Sequence, residues 1–405
     1  MNSMSGVTSV KGNAIIITTR DEKVASTVKP FHFHKVNGLS DDDCWYIIKG
    51  KAFDGNGQVP PEFETIGKEI VRKCQGFPLA ANVVGGVLCH KSVEEWHLIN
   101  EKGLSNCEGG ENIRKILKLS FDYMSSPSLK KCFAYCSNFP KGYGFNKIKL
   151  IELWMGEELL QPSQGEDMES VGNIFLNVLL QNSLLEVSYN SFYGGLCYEM
   201  HDLVHDLASS VLFNSTDSRT PARCMFLEEE LSHIPKEVAK HLLTLFLKGK
   251  TSGIMFSDFQ SLHNLTIGEI EEHQLPNSIR ECIHLRNLDL SNSSIKDVPE
   301  RIGELSLLQT LRASTKDTPE LYADDSNNYL RMVRASSGKT LPNTLKKLVN
   351  LRHLYFGYGV ELPGEIGRLT NLQALPYFSV GKEKGYYIEE LGTLRNLKGK
   401  LTIQS

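Results

Sequence analysis

The chain of 405 residues lacks a long hydrophobic run, a strong net charge and a cysteine framework. No window is apolar over the roughly 20 residues that a membrane span needs, and residues 1–6 lack the basic and apolar segments of a signal peptide. A formal net charge of -4 gives no reason to expect a nucleic-acid partner. The nine cysteines are odd in number and scattered, which favours reduced thiols in a cytosolic protein over a disulfide scaffold.

The sequence also lacks a complete phosphate loop and a recognisable catalytic or metal-binding set. Residues 336–340 (SSGKT) end like a phosphate loop, but Val333 stands where the first glycine is required, and residues 249–251 fail in the same way. His201 and His205 have a helical spacing, but no glutamate lies between them as in H-E-x-x-H zinc sites. No catalytic residue and no metal site are therefore predicted.

The residues that are present are typical of a globular chain with more than one core. Apolar residues make up 40% and charged residues 23%, and the length is sufficient for two or three domains. Residues 14–20 (AIIITTR) have the unbroken apolar run of a buried, parallel strand. Since such a strand needs neighbours and little sequence precedes it, either its partners come later or the chain is a fragment.

Helical periodicity follows from about residue 42 to residue 100. Pro61 and Pro78 predict the starts of two apolar helices, and Gly76 predicts the end of the first one. Ser92 and Glu95 have the spacing of a capping box, so a further helix is expected to begin there.

A compact helical segment from residue 111 to residue 208 ends in a hairpin pattern. Asn146 predicts a helix start, residues 184–187 and 196–200 predict two strands around a glycine loop, and the combination predicts a winged helix. Winged helices commonly bind DNA, and residues 146–160 are the candidate recognition helix. That helix contains two lysines but three glutamates, too acidic for a helix that faces phosphates, so DNA binding is a minor alternative.

Beyond residue 240 an apolar motif repeats, with leucine at its first and fourth positions and an apolar residue at its sixth. It begins at residues 242, 262, 285, 308, 351 and 372, and a Leu-Pro or Val-Pro pair precedes the last four by ten residues. The spacings of 23 residues (285 to 308) and 21 residues (351 to 372) fit leucine-rich repeats. The wider gap from 308 to 351 fits one irregular repeat over Thr315–Lys339 or an insertion. A solenoid with a concave sheet is predicted.

Five stretches in a fixed order give the chain a family resemblance. They are residues 15–20 (IIITTR), the segment from Leu39 to Phe53, residues 76–80 (GFPLA), residues 132–155 (from CFAYC to LWM) and residues 200–202 (MHD). Together with the repeats that follow, they resemble plant nucleotide-binding (NB-ARC) leucine-rich-repeat immune receptors of the coiled-coil class. The resemblance covers nearly the whole chain.

The resemblance implies a switch in which ADP holds the receptor closed, ATP opens it, and the repeats restrain it and help to sense pathogen effectors. By position, Arg20 would be the sensor arginine near the terminal phosphate, Pro78 would pack beside adenine, and His201 would donate a hydrogen bond to the β-phosphate of ADP. Asp202 would help to hold the closed state and is also expected to be the N-cap of the next helix.

One departure from the family limits these implications. In the family a phosphate loop and an acidic, magnesium-binding strand precede the strand that ends in Thr-Arg, whereas only 13 residues precede Ala14 here. The expected protein is therefore an N-terminally truncated receptor without ATP hydrolysis, a bound metal or tight ADP binding. Phe77 also replaces the family's usual leucine, which conserves its apolar character.

The predicted fold class is multidomain, α plus α/β, with a helical subdomain and a winged helix before a leucine-rich-repeat solenoid. The boundaries are 1–28 for a remnant of the nucleotide-binding domain, 29–107 for the helical subdomain, 108–212 for the winged helix, 213–240 for a linker and 241–405 for the repeats.

The predicted function is that of a plant intracellular immune receptor fragment in the defence response. Its expected partners are a pathogen effector or a guarded host protein on the repeats, together with an intramolecular contact between repeats and winged helix. Nucleic acid and a membrane span are not expected, and the compartment is the cytoplasm, with the nucleus as the alternative. The alternatives are an interaction scaffold without nucleotide control and a non-functional gene fragment.

Overall fold

The structure, a computed structural model, contains a helical part followed by a curved array of short parallel strands. It describes residues 17–19, 22–27, 34–53, 59–105, 112–190, 195–215, 223–227, 234–248, 256–269, 273–291, 293–295, 297–313, 339–357 and 360–404. Within these ranges, no helix combines the length and the apolar character that crossing a membrane requires.

The helical part contains ten α-helices, one π-helical turn and one hairpin among the described residues. They are α1 (Glu22–Thr27), α2 (Asp41–Ala52), α3 (Pro61–Cys74), α4 (Pro78–Leu88), α5 (Val93–Leu98), the π-helical turn Ile99–Gly103, α6 (Asn112–Asp122), α7 (Pro127–Cys136), α8 (Lys147–Gly156), α9 (Met168–Gln181), β1 (Glu186–Asn190), β2 (Gly195–Glu199) and α10 (Asp202–Ser215).

The predicted start signals define several of these helices. Ser92 and Glu95 form the complete capping box of α5. The side chain of Asn146 accepts the backbone N–H of Lys149 at 3.1 Å and caps α8, as predicted. Because these signals act over three residues, sequence alone is sufficient to place them.

A tight turn at Gly76 joins α3 to α4. Gln75 and Gly76 are both left-handed, with φ of 51° and 71°, and the Gly76 carbonyl accepts the backbone N–H of Leu39 at 2.9 Å. A Cβ atom on Gly76 would lie 2.7 Å from the carbonyl oxygen of Leu39. Both the backbone conformation and the close approach therefore require glycine at this position.

One buried core extends through the helical part from Cys44 to Ala208. Trp96, Trp154 and Phe133 are among its largest fully buried side chains. The residues predicted as a separate helical subdomain and winged helix thus share a continuous core. Its buried thiols include Cys132 and Cys136, so these two cysteines are core residues.

The predicted hairpin is present and extends into a third chain segment. β1 pairs antiparallel with β2, with Val187 opposite Tyr198. The backbones of Phe145 and Tyr198 exchange two hydrogen bonds of 2.8 and 2.9 Å. The wing is therefore fixed to the residues that directly precede α8.

Among the residues that the structure describes, the repeat array contains α11 and ten short strands. They are β3 (Cys224–Leu227), α11 (Lys236–Ala239), β4 (Thr244–Lys248), β5 (Asn264–Gly268), β6 (Asn287–Asp289), β7 (Thr310–Ala313), β8 (Lys339–Thr340), β9 (His353–Phe356), β10 (Val360–Glu361), β11 (Tyr377–Ser379) and β12 (Thr402–Gln404).

The main sheet is parallel, with the order β3-β4-β5-β6-β7-β9. The repeat leucines stand in register across it, in the series Leu245, Leu265, Leu288, Leu311 and Leu354. All five are fully buried in a second core that is separate from the helical one. This arrangement confirms the predicted solenoid.

The outer side of the solenoid explains the Leu-Pro and Val-Pro pairs of the repeats. Pro276, Pro299 and Pro342 each precede a 3-10 helix, because proline fixes φ and an N–H is not required there. Asparagine side chains then join neighbouring repeats, since Asn350 donates to the Ser306 carbonyl at 2.8 Å and Asn371 donates to the Val349 carbonyl at 2.9 Å.

Two predictions need correction. Residues 17–19, within the predicted strand 14–20, carry no secondary structure, because the described residues offer them no neighbouring strand; the rest of that prediction lies outside the described residues. The predicted linker 213–240 contains β3, which adds an edge strand to the sheet and which the leucine spacing does not reveal. Most of the gap assigned to Thr315–Lys339 lies outside the described residues.

Gly76→Ala should destabilise the fold more than Gly142→Ala, by about 1–3 kcal/mol of unfolding free energy in urea. Both glycines have positive φ, 71° and 73°, but no atom lies within 4 Å of a Cβ built at Gly142. The difference between the two losses of unfolding free energy therefore isolates the contact of residue 76 with Leu39. Equal losses for the two variants would show that this contact is unimportant.

Candidate functional site

The run 200–202 lies where β2 gives way to α10. His201 is exposed, and its Nδ1 accepts the backbone N–H of Leu203 at 3.1 Å. A ring nitrogen that accepts a hydrogen bond carries no proton, so the proton of the neutral ring lies on Nε2. His201 therefore presents an N–H donor beside the positive end of α10.

Asp202 differs from its predicted local role. It is the first residue of α10, not the N-cap, because the ring of His201 takes the capping hydrogen bond. A carboxylate in the first turn still interacts favourably with the helix dipole. The proposed switch role of Asp202 is separate from capping and is not affected by this difference.

The other two predicted nucleotide contacts lie elsewhere. Pro78 is exposed at the first position of α4, directly after the Gly76 turn. Both α4 and α10 pack against α6, which thus connects the helices that carry Pro78 and His201. Arg20 lies outside the described residues.

A second, larger site lies between the winged helix and the concave face of the sheet. The carboxylate of Glu152 on α8 accepts hydrogen bonds of 2.7 to 3.2 Å from Arg312 on β7. The guanidinium carbon lies 3.9 Å from the ring centre of Tyr355 on β9. The two charged side chains are 2% and 10% exposed, so this is a buried, oriented ion pair with a cation–π contact.

Further charged pairs extend along α8. Lys149 lies 3.2 Å from the carboxylate of Asp289, which also accepts hydrogen bonds from the backbone N–H and hydroxyl of Ser291. Beyond the end of the helix, Glu158 accepts a hydrogen bond of 2.5 Å from Arg286. Successive turns of α8 therefore meet different repeats.

The start of α9 carries a third charged cluster. Glu169 accepts hydrogen bonds of 2.6 and 2.7 Å from Arg352 and lies 3.1 Å from Nε2 of His353. Asp167 forms an ion pair with Lys398. Burial alone would raise the pKa of Glu169, but the hydrogen bonds and charges of His353 and Arg352 hold that pKa well below its ordinary value.

A polar network closes the other end of the interface. Glu157 accepts hydrogen bonds from Thr244 at 2.5 Å and from Asn264 at 3.2 Å. Burial raises the pKa of Glu157, although these hydrogen bonds oppose the shift. Asn264 also packs directly onto Gly156, where a Cβ atom would overlap its side-chain amide, so the close approach of α8 requires glycine.

The charges of the interface are divided by sign. Four cations from four repeats face four carboxylates from α8, α9 and their flanks; the pairs are Arg286–Glu158, Arg312–Glu152, Arg352–Glu169 and Lys398–Asp167. Lys149–Asp289 has the reversed sign. This segregation gives the docked geometry electrostatic complementarity.

The sequence predicted a contact between repeats and winged helix, but not the residues that form it. The sequence feature that points to this interface is the acidity of residues 146–160, which argues against DNA as the partner of that helix. The same acidity favours a basic protein surface, which the repeats of this chain supply. Among the described residues, no cluster of three or more potential metal ligands is present.

Comparison with known families identifies three regions. A model described as an NB-ARC domain matches residues 4–58, one described as a disease resistance protein winged helix domain matches residues 139–208, and one described as a leucine-rich repeat region matches residues 242–404. Their order agrees with the order of motifs in the sequence.

Curated relatives extend the match along the chain. Disease resistance protein RGA2 of Solanum bulbocastanum is 33% identical over 402 residues, covering 97% of this chain and 38% of the relative. Putative disease resistance protein RGA4 of the same plant is 36% identical over 406 residues, covering 97% and 37%. The chain therefore spans less than half the length of these relatives. A leucine-rich-repeat protein of Leptospira interrogans is a remote structural match, 22% identical, with a TM-score of 0.32, covering 43% of this chain and 41% of that one.

Arg312→Met should cost about 3–5 kcal/mol of unfolding free energy, because it removes the guanidinium partner of the buried Glu152 carboxylate. The double variant Glu152→Leu/Arg312→Met should recover much of this loss, and tryptophan fluorescence in urea measures both losses. The exposed pair Arg301–Glu304 is the control, with coupling below about 1 kcal/mol. Additive losses at Glu152 and Arg312 would contradict the pairing.

Glu169→Gln should cost about 2 kcal/mol near neutral pH, through the loss of charged hydrogen bonds. Since the folded pKa is depressed, this contribution is complete above the ordinary value of about 4.3 and is lost as the pH falls through the lower, folded value. Urea unfolding of wild type and variant between pH 3 and pH 7 (about one point per unit) measures it. Glu166→Gln, at an exposed neighbour, is the control. A pH-independent difference would exclude the proposed cause.

Proposed function

The chain belongs to the plant disease resistance proteins that join an NB-ARC domain, a winged helix and leucine-rich repeats, and on this premise we propose that it forms the switch-and-sensor part of an intracellular immune receptor. In this proposal ADP or ATP controls the helical part, and the repeats restrain it and sense a pathogen effector or a guarded host protein. The proposed compartment is the cytoplasm, with the nucleus as the alternative.

The docking of α8 on the concave face carries this proposal. A concave repeat surface is well suited to binding proteins. Here the part formed by β4 to β9 is occupied by the winged helix through Glu152 and Glu157. A partner that uses this face must compete with α8, so partner binding and the position of the winged helix are thermodynamically linked.

The nucleotide contacts of the proposal are those of the family. His201 donates its Nε2 proton to the β-phosphate of ADP, Asp202 stabilises the closed state, Pro78 packs beside adenine and Arg20 reaches the terminal phosphate. The tautomer fixed by Leu203 supports the role of His201, since it leaves a donor directed away from the helix backbone. The chain itself contains no glycine-rich phosphate loop, so it is proposed to bind ADP weakly and not to hydrolyse ATP.

An interaction scaffold without nucleotide control is the second candidate function. One observation favours it, because the winged helix contacts the repeats directly through Glu152, Glu169 and Glu157. In that case the position of the winged helix would respond to a protein partner alone.

Calorimetric titration of the purified chain distinguishes these functions. ADP is expected to bind weakly, AMP is expected to bind at least about fivefold more weakly because it lacks the β-phosphate, and His201→Ala should remove that difference. His273→Ala, an exposed histidine of the repeats, is the control. Equal affinities for ADP and AMP would contradict the role of His201, and tight stoichiometric ADP binding would contradict the proposed weak site.

A further inference from the structure

The second histidine of the run MHDLVHDL has a defined structural partner. His205 lies one turn into α10, where its backbone N–H donates to the His201 carbonyl at 2.9 Å. Its side-chain Nε2 lies 2.7 Å from the carbonyl oxygen of Phe139, which can only accept, so Nε2 is the donor. Nδ1 is then the acceptor that faces the hydroxyl of Ser209 at 3.5 Å. The two histidines of the run are thus joined within a single helical turn.

Phe139 is the centre of an aromatic cluster. Its ring is 2% exposed and lies 4.8 Å from the ring of Phe145 and 5.8 Å from that of Tyr135, measured between centroids. It also lies 5.3 Å from Phe226 and 5.2 Å from Phe246. The first two neighbours belong to the helical part and the last two to the repeat array.

Phe226 and Phe246 occupy paired positions on β3 and β4. Their rings are stacked at 4.4 Å with an interplanar angle of 4°. Both pack against the core of the helical part, whereas Leu245 and Leu247, which flank Phe246 along the chain, lie in the core of the repeats. Phe139 therefore contacts the first two strands of the sheet from their concave side.

We propose that His205 is a positioning residue that couples the first turn of α10 to β3 and β4 through Phe139. Because one helical turn is rigid, a displacement at His201 also moves the His205 ring. The hydrogen bond between His205 and the Phe139 carbonyl then moves the Phe139 backbone. A nearby pair, Lys141–Asp206, also links α10 to this segment, but both of its side chains are 43% exposed and solvent screens them. The ligand at His201 rests on the proposed function, whereas the coupling itself does not.

Hydrogen–deuterium exchange of the full-length chain without nucleotide tests this coupling. His205→Ala is expected to accelerate exchange in residues 224–227 and 244–248 about fivefold, the factor for one lost hydrogen bond. His205→Gln keeps an N–H donor and should restore most of the protection. Asp206→Asn, which removes only the exposed ion pair, should leave these strands unchanged, and β9 serves as the internal reference.

Two outcomes overturn the proposal: unchanged exchange in β3 and β4, or an equal rise in β9, which would mean general destabilisation. If His205→Ala does not fold, Phe139→Leu tests the coupling instead. This variant keeps the backbone carbonyl that faces His205 but removes the ring contacts with Phe226 and Phe246. It should accelerate β3 and β4 while α10 stays protected, and unchanged strands would again refute the coupling. Since no nucleotide is added, failure of ADP binding and failure of this coupling are separate results.

Discussion

The buried ion pair between Glu152 and Arg312 determines how the two halves of this protein sit against each other. Removing both charges from water is costly, and the cost is offset only when the fork of the guanidinium meets the carboxylate in the right orientation. The ring of Tyr355 against Arg312 restricts that orientation further. A shift of α8 by one repeat would leave both charges buried without partners, so the pair specifies the register of docking.

The surrounding contacts are consistent with that register. Gly156 lets the helix approach Asn264 closely, and Glu157 fills the polar space beside it. At the other end, Glu169 contacts Arg352 and His353, at the start of the last strand of the main sheet. The two acids respond to pH in opposite directions, because burial raises the pKa of Glu157 whereas its partners lower that of Glu169. Acidification therefore weakens the end of the interface at Glu169 and relieves the cost of burying the charge of Glu157 at the other end.

Local features of the fold were predictable, and a contact between repeats and winged helix was expected, but the residues that form this contact were not predictable. Asn146 and the Ser92–Glu95 box act within one helical turn. The leucine spacing identifies the repeats because every unit places its leucines at the same positions. The partners Glu152 and Arg312 are 160 residues apart, and no local pattern joins them. At the site, the histidine of residues 200–202 was identified, but its capping role was assigned to Asp202, because side-chain preference does not reveal which neighbour takes the hydrogen bond.

Charged side chains dock the winged helix on the concave face, and a zero-length carbodiimide cross-link tests this docking most directly. This reagent joins only an amine and a carboxylate that are in contact. Mass spectrometry should find Lys398 joined to Asp167, a pair that is accessible at 55% and 24% exposure, alongside the internal control Lys141–Asp206. Lys398→Arg should remove the first product only. Recovery of the control link without the Lys398–Asp167 link would contradict the docked arrangement.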